Sequence, residues 1–508
     1  MITPVDRPSP ARPATLARGA ACLAVAALAL AGCGAPGGEG GDDGTITWMA
    51  MLHTPSTPDA DGPVQAALEE HTGQDFEMQW VPAASKEEKV NAALASGDLA
   101  DIVSLTETES TSVRSALKSG AFWDVEPYLA DYPNLSEIDP EIIDAARIDG
   151  TLYGVPLQQF KARYGVLVRQ DWLDALGLDV PHTIDDLTKV AHAFTHDDPD
   201  GDGKDDTTGF VDRAESFHFG FNSLAGYFGA GNVFDVDDAG RVTPAFASDA
   251  FKEAMEWYRG VYEDGGVNQE FITLQKSNQQ DAIAQGKGGI VVTGLFEAKN
   301  YAALAESADP ETPMEWALVN DMTYDGRPHR IISDTGGGMG GWLAIPKTEV
   351  QDEAQLKKVL AFIDKLMDEK AYTLMTDGVE GTHYSVDDDV VTITDQTAWE
   401  QEVQPYASSR PSENAFLRES ATAYVDEANE KMTEQAPDAV LNPAQTLTSE
   451  AFDRQWSTLE EKANDAYNKY LSGQIEMPEY EAIIDGLGGQ GLDTITEELT
   501  AAYQAANG

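Results

Sequence analysis

Between His196 and Asp206 the chain reads HDDPDGDGKDD, with six aspartates in eleven residues. Counting Asp198 as position one, Asp200 and Asp202 fall at three and five, Gly203 at six, Lys204 at seven and Asp206 at nine. This spacing curls a short loop around a hard cation: alternate carboxylates and the carbonyl at seven point inward, and the glycine makes the sharp turn. Position twelve, where an EF-hand needs a bidentate glutamate, is Gly209, so the loop is not a full EF-hand. Thr207, at ten, offers an oxygen without charge. The expectation is a structural calcium ion held by Asp198, Asp200, Asp202, Lys204, Asp206 and Thr207. The alternative is an acidic turn on an acidic protein, which would require neither the glycine at six nor strict alternation.

Catalytic spellings are missing. The chain has no G-x-S-x-G elbow, H-E-x-x-H, P-loop or C-x-x-C. The run GGGMGG, Gly336 to Gly341, lacks the helix-opening phosphate pattern and reads as a place where backbones approach closely. Carboxylates are abundant enough to hide a glycosidase pair, and spacing alone does not exclude one. The reading is nonetheless a binding protein and not an enzyme.

The charge balance narrows the partners. Lys and Arg total 33 against 88 Asp and Glu, a formal charge of −55, which repels nucleic acid and anionic membrane surfaces. The N-terminus supplies another route to a membrane. Arg7, Arg12 and Arg18 precede the apolar run ACLAVAALAL, which is too short to span a bilayer and reads as a secretory signal over residues 1–32. Its end, LAGC at Leu30 to Cys33, resembles the bacterial lipobox, which makes Cys33 the lipid-modified N-terminus. Cleavage removes Cys22, so no disulfide is possible and stability rests on the core. The glycine-rich residues 33–44 then read as a flexible tether.

Beyond the tether, short apolar runs alternate with amphipathic stretches. TITWMAML, FEMQWVPA and DIVSL read as strands separated by the helices PVQAALEEHTG and SKEEKVNAALASG. Such a succession with short links implies right-handed crossovers and a parallel sheet, whose ligands sit at the carboxyl ends of strands. Those ends are the loops at His53 to Ser56 and Thr106 to Ser110. A second lobe opens after DGTLYGVPLQQF, where a strand is followed by two helices, the second capped by Thr183 with Asp186 at the capping-box position. Later glycine-flanked strands are GKGGIVVTGLF and GGGMGGWLAIPKT. Trp172 lies on a helical stripe with Leu173 and Leu176 and is expected in the core.

The lipobox, SGDLADI, GAFWDVEPYL, DGTLYGVP, VRQDWLDALGLDVPHTIDDL and DPDGDGKDD occur in one order, followed by GVEGTHYSV and the ending YLSGQIEMPEYEAIIDGLGGQGLDTITEELTAAY. Together they resemble the family-one extracellular solute-binding lipoproteins of carbohydrate ABC importers, in the branch that includes LplA and alginate-oligosaccharide-binding proteins. The resemblance implies an α/β, two-lobe, type II periplasmic-binding-protein-like fold with hinge crossings and a helical C-terminal region. Lobe one would comprise residues 45–158 and 321–378, and lobe two 159–320 and 379–508. It also implies a monomer at the extracellular face of the cell membrane, held there by its lipid alone, that delivers an oligosaccharide or glycoside to the transmembrane subunits of an ABC permease. Related proteins close the acidic loop with carboxylates at nine and ten, where this chain has Asp206 and Thr207.

Sugars are held by aromatic faces and by planar polar groups on their hydroxyls. The cleft candidates are His53, Thr54, Ser56, Thr106 and Glu107 at strand ends, with Gln159, Arg163 and Tyr164 at the first crossing. His218, Asn222 and Tyr227 come from SFHFGFNSLAGYFG, Phe296 follows a strand-ending glycine, and Trp342 adjoins a crossing segment. For each of them, a core or solvent-facing position is the competing reading. The competing functions are a secreted lipoprotein glycoside hydrolase and a binder of a non-sugar solute such as a peptide.

Overall fold

A computed structural model of the protein describes residues 44–54, 57–108, 110–308, 310 and 314–507. The signal segment, Cys33, nearly all of the tether and Ser56 lie outside the described residues. Among the described residues no helix is long and apolar enough to cross a membrane.

The first strands are β1 (Ile46–Leu52), β2 (Phe76–Pro82), β3 (Ile102–Leu105) and β4 (Gly154–Gln158). Next come β5 (Tyr164–Arg169), β6 (Thr208–Phe210), β7 (Gly288–Gly294), β8 (Trp316–Val319) and β9 (Met339–Ala344). They form two sheets, ordered β2-β1-β3-β9-β4 and β8-β5-β7-β6. As the alternation predicts, β1 runs parallel to β2 and β3, with α1 (Pro63–Thr72) and α2 (Lys86–Ser96) as the crossovers. Strand β9 enters between β3 and β4, antiparallel to both, from much later in the chain. In the second sheet β5 is antiparallel to β7 and β8, while β6 is parallel to β7.

The first sheet has one main core and the second another, beside which Phe160, Leu167, Val291 and Trp316 form a third, smaller cluster. The first buries Trp48, Phe122, Leu343 and Ile363; the second buries Trp172, Phe194, Phe221 and Tyr258 and recruits Trp456 and Tyr467 from a C-terminal helix, Glu450–Leu471. At about 1.5–3 kcal/mol for each large side chain removed from water, these two clusters hold the lobes together without any disulfide. The cores divide the chain differently from the expected boundaries in two places. Val403 and Tyr406, expected in lobe two, pack into the first core, where Tyr406 meets the edge of Trp80 at 5.5 Å and its hydroxyl bonds the Gln65 amide oxygen at 3.2 Å. Met322 and Ile331, expected in lobe one, belong to the second core. Apolar surface goes to whichever core it reaches, and a segment that crosses between sheets has two within reach.

Trp172 is in the core as expected, edge-on to Phe194 at 5.2 Å and covered by the Arg169 guanidinium. The adjoining helix, Ile184–His196, begins with the Thr183 hydroxyl accepting from the Asp186 N–H at 3.0 Å. Gly289 on β7 faces this pair so closely that a Cβ there would sit 2.3 Å from Phe194 and 2.5 Å from Trp172. Gly289→Ala should therefore cost about 1–3 kcal/mol by overpacking, read as a lower midpoint in denaturant at unchanged slope.

Candidate functional site

The chain passes between the sheets at residues 159–163 and 333–338, and a third segment, 409–413, runs beside them. Pro411 accepts from the Gln158 N–H at 2.7 Å, and the Glu413 N–H donates to the Gln158 carbonyl at 2.8 Å. The second crossing is tied to the first by the Ser333 hydroxyl on the Lys161 carbonyl, the Thr335 hydroxyl on the Phe160 carbonyl at 2.7 Å, and the Gln159 N–H on the Gly338 carbonyl at 2.8 Å. Three consecutive glycines, Gly336 to Gly338, carry φ of 58°, 79° and 96°, a conformation that side-chain-bearing residues rarely adopt. The glycine run is a place of close backbone approach, as its sequence suggested: a Cβ on Gly341 would sit 2.2 Å from the Leu105 carbonyl oxygen.

Arg163 joins these segments. Its Nε donates to Asp334 Oδ2 at 2.8 Å and its backbone N–H to Oδ1 at 2.8 Å, while Nη1 lies 3.5 Å from Glu413. Both carboxylates raise its pKa above the ordinary value, against the desolvation that opposes the charge. The guanidinium also covers the Phe296 ring at 5.6 Å. Tyr164 stacks on Phe219 at 5.9 Å and 16°, and burial pushes its hydroxyl up to about 12.

From this hinge the polar groups spread to both strand-end surfaces. Tyr372 donates to the Glu413 carbonyl at 2.8 Å and lies under the Arg410 guanidinium, 5.5 Å from its centroid. The Lys299 ammonium sits 5.4 Å over Trp399, whose indole N–H donates to the Thr376 carbonyl on the side of the first core. Lys299 is held below the usual lysine value, first by desolvation and then by Arg410. The His53 imidazole is also held down, first by desolvation and then by Lys86 beside the first sheet and Lys276 beside the second. Lys276 bonds Glu297 at 2.7 Å, and Lys86 lies 3.4 Å from Glu107. Among the described residues, buried Arg410 Nε and Glu413 Oε2 have no hydrogen-bond partner.

Most expected cleft residues lie on this surface or at its margins. His53, Thr54, Thr106 and Glu107 follow β1 and β3; Gln159, Arg163 and Tyr164 occupy the first crossing, and Phe296 joins through Arg163. Asn222 is half-buried on the helix Gly220–Tyr227, and His218 lies at the surface before it, 3.9 Å from Glu460. Two of the candidates do not face a cleft. Trp342 is 1% exposed in the first core and donates its indole N–H to the Ala146 carbonyl at 2.8 Å; Tyr227 is 3% exposed in the second, beside His329. Each continues the inward face of its element, and adjacency to a loop does not turn a side chain. Missed by the sequence reading were Phe219, Lys276, Lys299, Trp399, Arg410 and Asp334. Phe219 lies inside a quoted stretch, but the others carry no local signal, since they meet only through the fold.

In the acidic loop, carboxylate oxygens of Asp198, Asp200 and Asp202 lie within 4.8 Å of one another. The Gly203 N–H donates to both Asp198 oxygens at 3.2 and 3.1 Å, and Gly203 takes the expected turn with φ 78°. Asp200 is pushed above the usual carboxylate value by desolvation and by the charges of Asp202 and Asp198. This donor set fits a hard dication. Asp206 bonds Lys287 at 2.7 Å, and Lys204 reaches Asp202 through its ammonium. The Thr207 hydroxyl donates to the Phe194 carbonyl at 2.9 Å, and the residue is only 9% exposed, so it anchors the loop to the preceding helix.

Two sheets with separate cores, joined by crossings lined with polar and aromatic side chains, define a two-lobe type II binding-protein fold. The chain belongs to the bacterial extracellular solute-binding protein family, whose model matches residues 54–373. It is 33% identical over 480 residues to the polygalacturonan/rhamnogalacturonan-binding protein YtcQ of Bacillus subtilis (strain 168), covering 92% of this chain and 93% of the relative. Among solved structures it is similar to the substrate-binding protein FusA of S. pneumoniae in complex with kestose, with a TM-score of 0.69 at 20% identity over 91% of this chain and 99% of that one. The alginate-binding protein AlgQ2 without calcium ion gives a TM-score of 0.67 at 18% identity over 91% and 98%. The family and these relatives are binding proteins.

Arg163→Ala would leave Asp334, whose side chain is 6% exposed, with a buried and uncompensated charge. The expected loss is about 3–5 kcal/mol in chemical denaturation. Arg163→Lys should recover only part of it, because an ammonium supplies no planar fork to hold a carboxylate while covering Phe296.

Proposed function

We propose that this protein is the substrate-binding component of a carbohydrate ABC importer, capturing an oligosaccharide or glycoside between its lobes and presenting the closed form to the transmembrane subunits of a permease. The observation that carries this reading is the cluster of aromatic and planar polar side chains at the crossings. Aromatic faces at Tyr164, Phe296 and Trp399 lie among planar polar groups, and Arg410 keeps an unbonded Nε there. Stacking on sugar C–H faces and bonds to hydroxyls use these elements, with closure moving two rigid lobes about the crossings. YtcQ and FusA, by their names and bound ligand, support a sugar.

The charge of the cleft favours an acidic sugar. In a chain of −55, Lys86, Arg163, Lys276, Lys299 and Arg410 gather around it, and Lys299 has no carboxylate within ion-pair distance among the described residues. A uronate carboxylate would supply that partner, in keeping with the galacturonan named for YtcQ. Catalysis forms no part of the reading. Cys33, lipidated after removal of residues 1–32, would hold the protein at the extracellular face of the membrane. The Asp198–Asp206 loop would bind one calcium ion, away from the sugar; the AlgQ2 structure described as lacking calcium supports this ion in relatives.

A calorimetric titration with galacturonate oligosaccharides and with neutral oligosaccharides of matched length tests the ligand class. Saturable binding without turnover is expected, tighter for the uronates and weakened at least tenfold for them by Lys299→Gln. Equal affinity for neutral sugars would remove the charge preference, binding of peptides alone would remove the sugar, and product release would make the protein a hydrolase. For the loop, chelation of calcium should lower the melting temperature of the wild type but leave Asp200→Ala, Asp202→Ala nearly unmoved. A hundredfold excess of free calcium over its dissociation constant corresponds to about 2.7 kcal/mol of stabilisation. Mass spectrometry of the membrane fraction should find a diacylglyceryl group on Cys33.

A further inference from the structure

We propose that His192, His196 and Asp264 form a second metal site, distinct from the acidic loop, that takes a divalent transition ion of the zinc, copper or nickel class. His192 and His196 stand four residues apart on one face of the helix Ile184–His196, with their rings 4.6 Å apart and inclined at 55°. Asp264 follows directly on another helix, Asp249–Glu263, and its carboxylate lies between the two imidazoles. His192 Nδ1 is 2.7 Å and His196 Nε2 3.3 Å from the same oxygen, Oδ2, and the three ligand atoms lie within 4.8 Å of one another. His196 Nε2 also lies 3.1 Å from the Asp264 carbonyl oxygen.

These distances are close to what such an ion requires, and small side-chain movements complete the match. Metal–nitrogen and metal–oxygen bonds of about 2.0–2.2 Å in a tetrahedron place ligand atoms roughly 3.3–3.5 Å apart. The His196–Asp264 spacing, 3.3 Å, is already there, and the His192–Asp264 spacing of 2.7 Å needs to open by roughly 0.6–0.8 Å, which exposed side chains do freely. The ion takes each imidazole in its neutral form, so a proton on the nitrogen that faces Asp264 moves to the other ring nitrogen or is released to solvent as the metal binds. All three residues are exposed, so water completes the coordination sphere.

Donor chemistry separates this site from its neighbour. Two imidazoles and one carboxylate suit zinc, copper or nickel, whereas the three aspartates of the loop suit calcium. The surrounding acidic surface raises the local concentration of either dication. The ion would tie the C-terminus of one helix to that of the other at the point where the chain enters the acidic loop.

The test is a titration of zinc chloride, and separately of nickel and copper chlorides, into the mature protein already saturated with calcium, followed by calorimetry. One equivalent of zinc is expected to bind saturably, and X-ray absorption should show two imidazole nitrogens around it. His192→Gln, His196→Gln should weaken the binding at least tenfold, as should Asp264→Asn, while circular dichroism stays unchanged because all three positions are exposed. Asp200→Ala, Asp202→Ala should keep zinc binding intact, which separates this site from the loop. Failure of zinc, nickel and copper alike to bind stoichiometrically, or equal binding by the double histidine variant, would overturn the proposal.

Discussion

The two lobes depend on one buried ion pair at the point where the chain passes between them. Arg163 holds Asp334 through a side-chain and a backbone N–H, so the first crossing and the second are fixed to one another by a single carboxylate. A buried pair gains little over a well-packed apolar alternative, yet loses much when one partner is removed. Its value here is geometric. The pair sets the register of two crossing segments that otherwise touch through backbone bonds and three left-handed glycines, while Glu413 brings the third segment alongside. Two separately packed cores meet at this junction, which is the arrangement a hinged cleft requires.

A second constraint is electrostatic. A chain with 88 acidic and 33 basic residues has few cations to place, and several of them converge near the hinge. Most are answered by carboxylates: Arg163 by Asp334, Lys276 by Glu297, Lys86 by Glu107. Those three pairs are each locally neutral within a strongly negative molecule. Lys299, covered by Trp399 and facing Arg410, departs from that pairing. Partly desolvated cations of this kind interact more strongly with an incoming anion than the solvated lysines of the outer surface do.

The lobe-two surface shows how close neighbours in sequence serve different chemistries. Within fifteen residues, His192 to Asp206, a helix ends in two imidazoles and turns into a loop of alternating carboxylates. Thr207 then fastens that loop back to the helix through the Phe194 carbonyl. The same Phe194 ring packs on Trp172, so the loop geometry is continuous with the core of its lobe.

Local chemistry was legible in the sequence wherever it is written in consecutive residues. The parallel β1-β2-β3 unit followed from alternation of apolar runs, the Gly203 turn from its place among aspartates, and the burial of Trp172 from its helical stripe. What the tertiary structure decided are relations between distant segments, which leave no periodic trace. Insertion of β9 between β3 and β4 carries Trp342 inward, although its neighbours form a crossing, and Tyr227 turns into the second core in the same way. The Tyr406 segment joined the first core because its ring found Trp80. Lys299 and Trp399 meet although a hundred positions separate them. Backbone periodicity determines which face of an element is apolar, but only closure of the chain determines which surfaces that face meets, and a binding cleft is made of such meetings.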